Sequence, residues 1–79
     1  MLDEILDQVE AYLGGLTTLR ELEFWVMDSF DAVMGMGDWD AMVLANDLDA
    51  DLVEVKQGRL SEDALKDSLR EKLSALRKA

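Results

Sequence analysis

The eighteen Asp and Glu residues are the only plentiful groups in this 79-residue chain that could do chemistry, and no histidine or cysteine stands beside them. Two carboxylates facing each other across a cleft can serve as general acid and general base. Nothing in the spacing isolates such a pair here, and four short helices rarely enclose a substrate-sized pocket. The absence of histidine removes the commonest general base and the commonest transition-metal ligand. The absence of cysteine removes thiolate chemistry and disulfides. Asp47-x-Asp49-x-Asp51 has the opening rhythm of an EF-hand loop, but Leu52 stands where glycine is needed and Gly58 where a bidentate glutamate is needed. No glycine-rich phosphate loop, HExxH or Glu-x-x-His is present. These residues imply a protein that is not an enzyme, with no cofactor and no metal.

What the carboxylates could do instead is bind. Asp40, Asp47, Asp51 and Glu54 are seven, four and three residues apart, which places them on one face of a helix. Like charges four apart on a helix repel, so a concentrated row suggests a complementary basic surface. Trp39 stands at the head of the row, and tryptophan is enriched at binding hot spots. The candidate partner-binding residues are therefore Trp39, Asp40, Asp47, Asp51 and Glu54. Trp25 is assigned to the edge of the core.

The charge of the whole chain points the same way. Residues 1–55 hold fourteen acids and one base, −13, and residues 56–79 hold seven bases and four acids, +3, which together make the net −10. A field of this sign repels nucleic-acid phosphates and anionic lipid heads, and it draws in a basic protein surface. The expected partner is a basic protein, such as a toxin or a nucleic-acid enzyme, with no direct contact to nucleic acid or membrane. The same acidity also serves solubility alone.

The elements that position these residues are helical. The chain has no proline and is 49% hydrophobic, which suits uninterrupted helices. Apolar residues at helical spacing predict four of them, over about 2–13, 19–34, 39–57 and 62–77, in one domain covering 1–79. Helix 1 carries the stripe Leu2, Ile5, Leu6, Val9 and Leu13 and ends at Gly14-Gly15. Helix 2 opens on a capping box, Thr18 with Glu21, and turns Leu19, Leu22, Val26, Phe30 and Val33 inward. Phe24, Met27 and Met34 lie on its other side. In the Met34-Gly35-Met36-Gly37-Asp38 stretch two glycines break the helix and Asp38 caps the next; its methionines fill gaps or form an adaptable contact surface. Helix 3 is the central one. Its core stripe is Ala41, Leu44, Ala45, Leu48, Leu52 and Val55, with Met42, Val43, Ala50 and Val53 as surplus apolar residues behind. Gly58 caps it, and Ser61 caps a fourth helix with the seam Leu65, Leu69, Leu73 and Leu76. Glu62–Lys66 and Asp67–Arg70 are expected surface pairs, and residues 77–79 are expected to fray. The fold class is all-α, a compact four-helix bundle with mostly antiparallel neighbours.

The run YLGGLTTLRELEFW (Tyr12–Trp25), the Leu44–Leu48 segment and GRLSEDALKDSLREKL (Gly58–Leu73) resemble short acidic all-helical bacterial proteins. More remotely, the pattern is similar to the colicin D immunity family, helical proteins that neutralise a basic tRNA-cleaving toxin domain. The resemblance rests on capping and turn chemistry along most of the chain and assigns a role to no single residue. It implies an immunity protein, antitoxin or inhibitor, with nucleic-acid mimicry as a special case. The alternative is a structural or assembly subunit that packs through its surplus apolar faces, where self-association is the less favoured arrangement. The N-terminus MLDEILDQVE is acidic, unlike a signal peptide, and no apolar run approaches the ~20 residues that span a bilayer, so a bacterial cytoplasmic setting is expected.

Overall fold

Short side chains and glycines cut the chain into its elements. In the computed structural model, which describes residues 2–35 and 37–78, the helices are α1 (Leu2–Leu13), α2 (Leu19–Gly35), α3 (Trp39–Lys56) and α4 (Glu62–Lys78). The Thr18 capping box is reciprocal: the Glu21 amide donates to Thr18 Oγ1 at 3.2 Å, and the Thr18 amide donates to Glu21 Oε1 at 3.1 Å. Asp38 Oδ1 accepts from the Ala41 amide at 3.3 Å, and Ser61 Oγ accepts from the Ala64 amide at 3.1 Å. α1 and α3 end alike. At Gly15 (φ 79°) the Gly15 and Leu16 amides reach back to the Tyr12 and Ala11 carbonyls. At Gly58 (φ 78°) the Gly58 and Arg59 amides reach back to the Val55 and Glu54 carbonyls. Both are Schellman closures, which require a left-handed residue and so favour glycine. The helices differ from the expected spans by one residue each at the ends of α2, α3 and α4; Gln57 is the cap of α3 and Gly58 the residue beyond it. Met36 lies outside the described residues, as does Ala79.

The core is one cluster drawn from all four helices. Ile5, Val9, Leu22, Val33, Leu48, Leu65 and Leu69 are its most deeply buried large side chains. Burying each such side chain contributes on the order of 1.5–3 kcal/mol against the entropy of ordering the chain. Successive helices, joined by short connections, form a four-helix bundle with mostly antiparallel neighbours. Among the described residues α1 and α3 each pack against the other three helices, whereas α2 and α4 do not meet. α3 is therefore central, but α1 shares that position. The Cα radius of gyration is 11.7 Å, close to the ~11.6 Å of a tightly packed chain this long.

Three expectations need correction. Tyr12, left out of the α1 stripe, is 3% exposed and fully part of the core, whereas Leu2 and Leu13 are only partly buried. Met34 and Met42, expected on outer faces, are partly buried and packed against the core cluster. Arg77, expected to fray, lies within α4 with its guanidinium 3.0 Å from both Asp7 Oδ1 and Glu10 Oε2 of α1.

Candidate functional site

Asp38 caps α3 and thereby sets Trp39 in the first turn, where the indole is 72% exposed. One and two turns on, Val43 and Asp47 continue the same side of the helix, with Asp40 beside Trp39. Opposite them stands the last part of α4. Together Trp39, Asp40, Val43, Leu44 and Asp47 face Lys72, Ala75 and Leu76 across an open groove of about 270 Å³. Its floor is apolar, through Val43, Leu44, Ala75 and Leu76. Its rim is charged, and among the described residues Asp40 and Asp47 form no ion pair. The groove thus sets an exposed indole and two carboxylates, unpaired among the described residues, around an apolar floor.

The other two ridge carboxylates are engaged within the chain. Lys72 Nζ reaches Asp51 Oδ2 at 2.9 Å, with both side chains largely covered. Arg59 clasps Glu54 in a fork, Nε to Oε2 at 2.6 Å and Nη2 to Oε1 at 3.0 Å. That hydrogen bond, more than the charge itself, holds the Glu54 carboxyl below its ordinary pKa and the guanidinium above its own. The fork joins the two residues of the Schellman closure that are more often tied by an apolar contact, so Glu54 belongs to the end of α3. Of the five residues singled out, the structure gathers Trp39, Asp40 and Asp47 at one groove and leaves Asp51 and Glu54 further along, each with a partner. Of the two surface pairs expected on α4, Asp67–Arg70 forms and Glu62–Lys66 does not. Lys66 lies over the Tyr12 ring, 5.5 Å from its centroid, in place of an ion pair with Glu62, and Arg70 binds Asp67 at 2.9 Å.

The α4 wall of the groove carried no local signal. Leu76 belongs to a leucine seam that reads as core, and Ala75 and Lys72 look like ordinary helix surface. Only the packing of α4 on α3 turns them into a wall. On the far side of α3, Asp49 faces α2 with Met27, Phe30 and Asp31, away from Asp47 and Asp51. The EF-hand-like run is thus spread around a helix, and among the described residues no three acidic groups converge as a cation site would need.

A second exposed surface lies along α2 and the back of α3. Phe24 is 54%, Met27 62% and Val53 41% exposed, and Lys56 Nζ meets Glu23 Oε1 at 2.8 Å between them. Among the described residues no helix is long and apolar enough to cross a membrane. No protein-family model matches the chain, and neither curated proteins nor solved structures give a match.

Proposed function

We propose that this protein is a non-catalytic binding module whose α3–α4 groove docks a basic protein, in the manner of an immunity protein, antitoxin or inhibitor acting in the cytoplasm. The observation that carries the reading is the exposed Trp39 beside Asp40 and Asp47, two carboxylates that form no ion pair among the described residues. Asp51 and Glu54 drop out of the contact set because Lys72 and Arg59 occupy them. Trp39 would supply apolar area to the partner, and Asp40 and Asp47 would take the Lys or Arg groups that otherwise hold phosphate. The surrounding field of a chain at −10 speeds the encounter.

The test uses the products of the adjacent reading frames, since an inhibitor of this kind is encoded with its target. Each is passed over the immobilised chain, and association and dissociation rates are measured at low and high salt. A basic product is expected to bind. Changing Asp40→Asn together with Asp47→Asn should weaken it at least about tenfold, or about 1.4 kcal/mol. The loss should lie mainly in the association rate and shrink as salt rises. Absence of any basic binder, or a binder indifferent to the double change, overturns the reading. The second reading, assembly through apolar faces, draws on the α2–α3 surface.

A further inference from the structure

Arg20, Phe24, Met27 and Asp31 fall at i, i+4, i+7 and i+11, and all four are exposed, so they form one stripe down the outside of α2. The stripe runs from a cation through two large apolar groups to an anion. Its outer pair, 20 and 31, and its inner pair, 24 and 27, share the same midpoint. A rotation of half a turn about that midpoint therefore lays Arg20 on Asp31 of an identical stripe, and Phe24 on Met27. α3 repeats the pattern beside it. Asp49, Val53 and Lys56 are i, i+4 and i+7, and because α3 runs antiparallel to α2, Lys56 stands at the Arg20 end and Asp49 at the Asp31 end. Three adjoining hollows follow the α2–α3 seam, and Met27 walls every one of them.

We propose that the α2–α3 face is the interface of a two-fold symmetric homodimer, centred on Phe24 and Met27 and closed at each end by Arg20 of one copy against Asp31 and Asp49 of the other. This goes beyond the Trp39 reading and uses the opposite side of α3. The self-complementarity of the charge order is what selects a second copy over a foreign partner: a wholly acidic patch would repel itself, and a wholly apolar one would have no register. The groups at each end bear this out. Glu23 already holds Lys56, and among the described residues Arg20 makes no ion pair but rests over the Phe24 ring at 5.6 Å from its centroid. Arg20 is thus the available cation, and Asp31 and Asp49 are available anions. The size is adequate. The molecule measures 32 × 26 × 21 Å and exposes 4953 Å², so a broad face, about a fifth of such an envelope, is large enough to supply the ~800 Å² per partner of a standard interface. Overall repulsion between two chains of −10 keeps the association weak and makes moderate salt favourable to it.

Sedimentation equilibrium over a wide concentration range at moderate salt tests the proposal. The mass should rise from 8.9 kDa toward twice that value. Arg20→Asp alone and Asp31→Arg alone should each raise the dissociation constant at least about tenfold, and the two together should restore it to near the original. Met27→Asp should abolish the rise, and Trp39→Ala should leave it unchanged, which separates this surface from the groove. Thermal melts of each variant confirm that the fold is kept. A mass fixed at 8.9 kDa up to about 1 mM, or single changes without effect, or a double change that fails to restore association, overturns it.

Discussion

The Tyr12 hydroxyl donates to Glu62 Oε2 at 2.6 Å, joining the end of α1 to the first turn of α4. Burial raises the pKa of this phenol, and the hydrogen bond to Glu62 and the charges of Glu62 and Asp63 raise it further. A tyrosine whose pKa is higher folded than unfolded contributes stability that is fully present below the unfolded value of about 10 and is lost as pH rises through the folded one. Tyr12 is the only tyrosine, so tyrosinate absorbance reports it alone. The onset of ionisation should come at higher pH in the folded chain than in urea, and equal onsets would show that the contact does not form in solution. Tyr12→Phe should cost about 1 kcal/mol near neutral pH, because exposed Glu62 regains water when the donor is lost. The melts of the variant should also lack the part of the alkaline decline that belongs to the phenol. Spacing places Tyr12 on the α1 stripe, seven after Ile5 and three after Val9, but its bond to Glu62 depends on the packing of α4 against α1, which no local pattern encodes.

At the scale of the elements, two glycines with similar surroundings should respond in opposite directions. A Cβ on either Gly35 or Gly58 meets no atom within 4 Å, so space does not distinguish them. Backbone does. Gly58 has φ 78°, left-handed, and the Schellman closure of α3 depends on it, whereas Gly35 carries no positive φ and ends α2 in the helical region. Gly58→Ala should therefore destabilise by about 1–2 kcal/mol, and Gly35→Ala should stabilise by about 0.5–1 kcal/mol. Chemical denaturation of both variants decides it; a loss of stability for Gly35→Ala would show that the end of α2 is not helical in solution. These ends were the most legible part of the chain. Thr18 with Glu21, Asp38, Ser61, Gly15 and Gly58 act on backbone groups a few residues away, so spacing is enough to read them. The stripes of α3 and α4 were legible for the same reason, and Leu48, Leu52, Leu65 and Leu69 are all buried. Met42 and Met34 were not, because whether a helix has one covered side or two depends on elements distant in sequence.

At the scale of the molecule, the acidic first part and the basic last part of the chain meet in space. α4 delivers Lys72 to Asp51 of α3, and Arg77 to Asp7 and Glu10 of α1, so much of the positive charge of residues 56–79 lies along the seams of α4. Of the acidic row, Asp51 is taken by Lys72 of α4 and Glu54 by Arg59 at the turn that ends α3, and among the described residues Asp40 and Asp47 form no ion pair. The periodicity of Asp40, Asp47, Asp51 and Glu54 was readable, but that Lys72 reaches Asp51 and no other depends on the register of α4 against α3, which no local pattern encodes, whereas the Glu54–Arg59 pair is local to the end of α3. A consequence can be measured on the isolated protein. Asp47→Asn and Asp51→Asn remove the same unit of charge from the same face, four residues apart on one helix. Among the described residues Asp47 forms no ion pair, and its loss relieves repulsion along the row, so the stability should stay or rise by a few tenths of a kcal/mol. Asp51 is held by Lys72 with only 25% and 29% of the two side chains exposed, and its loss should cost about 0.5–1 kcal/mol. Combining Asp51→Asn with Lys72→Met should show the two effects to be non-additive, whereas Asp47→Asn with Lys72→Met should be closer to additive. Salt should shrink the gain from Asp47→Asn more than the loss from Asp51→Asn, because exposed charges are screened more than covered ones. Equal responses of the two aspartates would mean that α4 does not sit in this register, and the α3–α4 groove that places Trp39, Asp40 and Asp47 together would lose its far wall.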